Sequence, residues 1–191
     1  MQKHLILSAF LALTALSAVA DDLDKYKEES RAAVMPFMKA LMAANMKAIA
    51  EGGPESAIKV CKEIAPAMAG DISRQNEWKL TRVSLKARNP LLGTADAWEQ
   101  KTLMQYEERV AKGEKPETLE TAEVVNEPGG KYFRYMKPIV MQQGCVACHG
   151  TADKISDGVR ARLGDEYPHD KATGYLPGQL RGGVSIKREI N

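Results

Sequence analysis

The chain has 191 residues, with 27 Lys and Arg against 25 Asp and Glu and a formal net charge of +2. Near-neutral charge gives no electrostatic argument for nucleic acid or an anionic membrane surface as partner. Three cysteines are an odd number, so they cannot all pair within one chain and each thiol needs its own explanation.

At the N-terminus, Lys3 and His4 precede an apolar run from Leu5 to Leu16, and Ala18-Val19-Ala20 offers a cleavage site before Asp21. This is the pattern of a secretory signal peptide, and the run is short for a bilayer span. The expectation is a signal peptide over 1–20 and one mature domain over 21–191, in the periplasm or secreted after cleavage near Ala20. No later segment is apolar enough to make an integral membrane protein. Lys3 leaves with the leader, which takes the 27 basic residues to 26 against 25 acidic ones.

Asp22 to Glu51 predicts a long helix, stopped by Gly52-Gly53. Val34, Met35, Met38, Leu41, Met42, Met46 and Ile49 recur at helical spacing, and Pro36 predicts a kink or a break into two helices. Pro54 suits the first turn of a second helix, from Pro54 to Ala69, with Gly70 after it. One face of that helix carries Ile58, Cys61, Ala65 and Met68. Trp78 to Leu85 reads as a strand, and Asp96 with Glu99 reads as a capping box for a helix to about Lys112. Thr118–Val125 and Lys131–Met136 read as a hairpin about the turn Glu127-Pro-Gly-Gly130. A short helix over Ser156–Leu163, a loop over Tyr167–Gly183 and a last strand over Gly183–Ile190 complete the expected order.

Cys145-Val-Ala-Cys148-His149 carries the chemistry. Two cysteines two residues apart can each add a thiol across one vinyl group of a porphyrin, and the adjacent histidine is then placed as an axial iron ligand. A zinc site requires a further close pair of ligands, and only Cys61, His169 and His4 remain. A thioredoxin-like pair belongs in a βαβ context that the pattern lacks, and a Cys145–Cys148 disulfide leaves His149 unexplained. The motif occurs once, which predicts one haem c. Gly144 and Gly150 flank it and are expected to let the backbone approach the macrocycle.

The residues leave the second axial ligand open. Methionine is the common partner of histidine, but Met35, Met38, Met42 and Met46 form a stripe more typical of core or of a dimer seam. His169 lies in a loop. Cys61 is either a small buried hydrophobe or the ligand; it is the one thiol that haem attachment does not consume, on a face expected to look into the core.

Several blocks in order resemble a known family: Ala57-Ile-Lys-Val-Cys61-Lys-Glu-Ile-Ala-Pro66, Arg82-Val-Ser-Leu-Lys-Ala-Arg-Asn-Pro90 with Trp98-Glu99, Cys145-Val-Ala-Cys-His-Gly150, and Tyr167-Pro-His-Asp170 with Ala172-Thr-Gly-Tyr175. The resemblance is to PAS-like c-type haem domains, found as secreted single-domain proteins and as sensor modules fused to kinases and chemoreceptors. It implies an α+β fold with a PAS-like antiparallel sheet and long N-terminal helices, through which a homodimer is possible. It also implies His149 and Cys61 as the two axial ligands. A thiolate at Cys61 would favour ferric iron and a low potential. Arg82, Arg88 and Tyr175 are the expected pocket residues for the propionates, and Lys137 is weighed with them.

The expected function is a one-haem cytochrome passing single electrons at low potential to a redox partner protein. The alternative is a redox or gas sensor for nitric oxide or carbon monoxide that acts through an output protein. An enzyme is not expected, because a haem peroxidase requires the distal position that Cys61 would close.

Overall fold

The computed structural model describes residues 5–190, with side chains from Asp22 onward. The expected leader, residues 1–20, therefore lies outside the residues whose side chains are described. Among the described residues no helix is long and apolar enough to cross a membrane.

Helix α1 runs from Leu5 to Gly52 without interruption at Pro36, so the expected break into two helices does not occur. Proline removes one N–H and one hydrogen bond from the helix interior, and here packing compensates for that loss. The buried face of α1 is Ser30, Val34, Phe37 and Leu41, at helical spacing. The methionine stripe lies beside that face. Met35, Met42 and Met46 are 51%, 44% and 64% exposed, and Met38 packs partly against the core.

The second helix also differs from its predicted form. It comprises α2 (Pro54–Lys59), one π-helical turn (Val60–Ile64) and α3 (Ala65–Asn76). Gly70 does not stop it; the end comes at Glu77, in the left-handed conformation at φ 58°. The π turn has a local cause. Pro66 has no N–H to offer the carbonyl of Lys62 four residues earlier, and a π register lets the helix continue past that gap.

Four strands follow: β1 (Lys79–Val83), β2 (Thr121–Glu127), β3 (Gly130–Val140) and β4 (Leu180–Glu189). They form one antiparallel sheet in the order β1-β4-β3-β2. The β2–β3 hairpin turns where the Pro-Gly-Gly signal predicts, with Glu127 opposite Gly130. The α+β class and antiparallel sheet are as expected.

Strand alternation sorts the sheet into two faces. Phe133, Tyr135, Val184 and Ile186 pack with Val34, Phe37, Val60 and Trp78 against α1 and α3. On the opposite face Met136 packs with Leu103, Tyr106 and Leu119, under α5 (Ala97–Ala111). The capping box that starts α5 is present, with the Asp96 carboxylate accepting from Glu99 N and Glu99 accepting from Asp96 N. Arg134, fully buried on this face, pairs with Asp96, Glu99 and Glu127. A one-turn helix α4 (Pro90–Gly93), capped by Asn89, stands where the sequence predicts only a loop.

Two short elements complete the chain. A 3₁₀ turn (Gln143–Cys145) leads into α6 (Val146–His149), and Ser156 caps α7 (Asp157–Glu166). Ile58 of α2 packs with Val159, Leu163 and Tyr167, which ties the motif segment to the helical side.

Candidate functional site

A cavity of about 410 Å³ opens between α1, the π turn, α3 and the ends of β1, β3 and β4. That size lies within the range of small-molecule and cofactor pockets, about 300–1,000 Å³. Phe37, Leu41, Ala65, Leu80 and Val184 make much of its wall apolar. Cys61, Cys145, His149, Arg82, Arg88 and Arg181 also line it. Residues 61, 82, 145, 149 and 181 thus meet at one place although they lie up to 120 positions apart in the sequence.

His149 ends α6. Its Nδ1 lies 2.7 Å from the carbonyl oxygen of Ala172 and 3.2 Å from Arg181 Nε. The shorter contact takes the Nδ1 proton, so the imidazole donates to Ala172 and Arg181 stands beside it as a neighbouring cation. This tautomer leaves the Nε2 lone pair available, the usual arrangement behind a histidine metal ligand. Burial, reinforced by Arg88 and Arg181, holds the imidazole well below its ordinary pKa. The ring is therefore neutral at ordinary pH, as a ligand must be.

Cys61 sits on the π turn. Its thiol faces Asn45 Oδ1 of α1 at 3.6 Å, and its backbone carbonyl accepts from Arg82 Nη2 at 3.4 Å. All three cysteines are free thiols. Cys145 lines the cavity, and its sulfur accepts from Gln142 N at 3.4 Å. Cys148 is turned away, with its sulfur 3.9 Å from the carbonyl of Pro54 and packed on the Ile58 cluster. Burial pushes the Cys148 thiol up to about 11.

Arg88 is buried and committed to the protein. It donates from Nε to Asp170 at 3.0 Å, and from Nη2 to the carbonyls of Cys148 at 2.5 Å and Ala172 at 3.4 Å. It therefore holds together the motif and the loop that orients His149. Arg82 lines the cavity.

Tyr175 does not line the cavity. Its buried ring packs edge-on against His149, with ring centres 6.5 Å apart and planes at 84°. Lys86 Nζ lies over the other part of that ring, 4.4 Å from its centre. Tyr175 thus supports His149 from outside the cavity. His169 is exposed and outside the cavity. Lys137 donates to the carbonyls of Glu117 and Leu119, also away from it.

Of the two flanking glycines, Gly150 is required by the packing of the chain itself. A Cβ on Gly150 would meet the Val146 carbonyl at 2.5 Å, so this glycine lets the chain close over α6. Nothing lies within 4 Å of a Cβ on Gly144.

Residues 9–188 match the family described as Tll0287-like: Tll0287. The chain belongs to the Tll0287-like family. Its fold is similar to the crystal structure of the cyanobacterial heme-protein Tll0287, with a TM-score of 0.63. That match is 23% identical and covers 85% of this chain and 96% of the other. A comparison with the curated proteins gives no match.

Within this Tll0287-like chain, sequence reasoning missed Arg181, Ser84, Asn45 and Ala172 at the site. Ala172 acts through its backbone, which no side-chain pattern reveals. Ser84 carries one signal, because Ser84 Oγ donates to the Arg181 carbonyl at 2.7 Å and so needs a hydroxyl in a segment read only as strand.

Proposed function

We propose that this chain binds one haem c in the described cavity and passes single electrons at low potential outside the cytoplasm. The observation that carries the reading is the meeting of His149, Cys61 and Cys145 on the walls of one largely apolar cavity. The residues fit the group: a neutral imidazole with its Nδ1 held, a thiol on the helical side, apolar walls for a porphyrin face, and cations for its carboxylates. The family's heme-protein structure supports the same cofactor. A long helix packed on a four-stranded antiparallel sheet supports the PAS-like reading of the fold.

Haem held here supplies a one-electron redox couple. Each residue has a definable part. His149 offers Nε2 while Ala172 keeps its tautomer. Cys61 would hold the other side of the group through its sulfur, and a thiolate there would favour ferric iron and a low potential. Cys145 and Cys148 would hold the group through thioether links. Arg88 and Asp170 hold the loop behind His149, and Phe37, Leu41 and Leu80 exclude water.

The position of Cys61 favours a second reading. A π turn within a helix is a common mark of functional sites. A ligand on such a turn can detach without unfolding the helix, which would suit sensing of redox state or of a small gas through a partner protein.

The test is the protein exported from a host able to attach haem. Intact mass should show a chain starting at Asp21 with one haem, and acid–acetone extraction should leave the pigment in the protein. Extraction of all the pigment sinks the covalent reading. Rapid nitric oxide binding by the reduced form, with a change in partner binding, would favour the sensor over the carrier.

A further inference from the structure

Three guanidinium groups line the cavity, and they are not equivalent. Arg88 has a carboxylate partner in Asp170. Arg82 and Arg181 have none among the described residues. Among the described residues the one hydrogen bond of Arg82 is the long 3.4 Å donation to the Cys61 carbonyl. Arg181 donates from Nη1 to Ser84 Oγ at 2.8 Å and to the Lys86 carbonyl at 3.2 Å, and among the described residues its Nη2 has no hydrogen-bond partner. Both side chains are half-buried, and a cation partly withdrawn from water without a counter-charge favours an anion beside it.

The backbone is shaped to put Arg181 there. Ile139 pairs with Gly182 and Val140 with Leu180, so Arg181 is the extra residue of a β-bulge in β4. Bulges re-aim a side chain next to functional sites. Gly182 adopts φ 153°, and a Cβ on it would fall 2.1 Å from the Val83 carbonyl. Only glycine permits this bulge against β1.

We propose that Arg181 and Arg82 form a two-guanidinium clamp for carboxylates carried on the edge of an apolar ring, the propionates of a haem seated in this cavity. The clamp rests on the haem reading above. Each planar fork matches a carboxylate with two parallel donors. The apolar walls select an anion attached to an apolar body over a small free one. Arg88 and Tyr175 take no part, one being held by Asp170 and the other lying behind His149. Arg181 also stands against His149, so the clamp sets the porphyrin's orientation relative to that ring.

The experiment is an absorption titration of the full mature chain, made without haem attachment, with haem and with haem dimethyl ester, whose propionates are blocked. Wild type should bind haem more tightly than the ester. Arg181→Gln and Arg82→Gln should each weaken haem binding by about tenfold or more while leaving ester binding near the wild-type value. Arg181→Lys keeps the charge without the fork and should fall between. Circular dichroism checks that each variant folds; if Arg181→Gln does not, Arg82→Gln and the wild-type ester comparison decide. Equal binding of haem and ester by wild type, or equal loss for both in the variants, overturns the clamp alone. Failure of wild type to bind either porphyrin overturns the haem reading and the clamp with it.

Discussion

The carbonyl oxygen of Cys61 accepts from the Arg82 guanidinium at 3.4 Å, and Pro66 explains why it is free to do so. In α register that carbonyl would take the Ala65 N–H. In the π turn the Ala65 N–H bonds to the Val60 carbonyl instead. The donor five residues after Cys61 is then Pro66, which has no N–H. One proline therefore opens the helix at Cys61 and hands its carbonyl to a cavity arginine.

Replacing Pro66 by Ala should let the helix relax to α register. Loss of the extra residue turns the preceding segment by up to about 100° about the axis, enough to carry Cys61 from the cavity wall. In the haem-loaded protein, Pro66→Ala and Cys61→Ala should both lose the low-spin ferric thiolate signature in EPR and visible spectra. Retention of that signature in Cys61→Ala would rule out the cysteine as ligand.

Arg88 and Asp170 should be needed for stability as well as for the site. Both side chains are about nine-tenths buried, at 8% and 11% exposure. Breaking a buried pair by removing one partner costs about 3–5 kcal/mol, because the other charge is left alone. Asp170→Asn should lower the denaturant midpoint accordingly and loosen the loop that holds His149. Unchanged stability would mean that solvent reaches Arg88.

Arg134 should be at least as sensitive. It is fully buried, contacts Asp96, Glu99 and Glu127 at 2.8, 3.3 and 2.7 Å, and lies 4.6 Å from the Trp98 ring centre. Arg134→Met keeps volume but leaves three carboxylates facing one another. A loss of about 3 kcal/mol or more is expected by urea denaturation. Haem spectra should not change, since Arg134 lies on the face of the sheet away from the cavity.

Acid should loosen the seam between α1 and the sheet. Hydrogen bonding to Arg31, with Lys27 nearby, holds the Glu120 carboxyl down from an ordinary 4.5 to about 2. The unfolded chain takes up that proton near pH 4.5, while the folded chain resists it until about pH 2. The stabilisation is thus present above pH 4.5 and is lost as pH falls from there toward 2. Glu120→Gln should be less stable than wild type at neutral pH and show a flatter acid limb in thermal midpoints. Parallel limbs would count against the pair.

What was legible in the sequence was local. The Cys145–His149 motif, the Asp96 capping box, the Ser156 cap and the turn after Glu127 each depend on residues within five positions of one another. Short-range hydrogen bonds and backbone preferences are enough to specify such features. The block around Cys61 also pointed to the right wall of the cavity.

Elsewhere long-range packing decided. Gly70 looks like a helix end, yet Ala65 and Ala69 bury against the core and carry α3 on to Asn76. Periodicity put Met35, Met42 and Met46 with Val34 and Leu41, but a 3.6-residue repeat cannot say which edge of an apolar stripe meets the sheet. Tyr175 packs behind His149 through a contact between residues that the sequence leaves 26 positions apart.

The Cys145-x-x-Cys148-His149 spacing and a third cysteine at Cys61 are properties of the sequence alone, because spacing and cysteine count need no fold. Arg181 was decided only in three dimensions. Nothing in its neighbours marks it out from other arginines. It enters the cavity because β4 pairs with β3 and β1 across a bulge, and pairing between strands some forty and a hundred residues apart is set by the whole core.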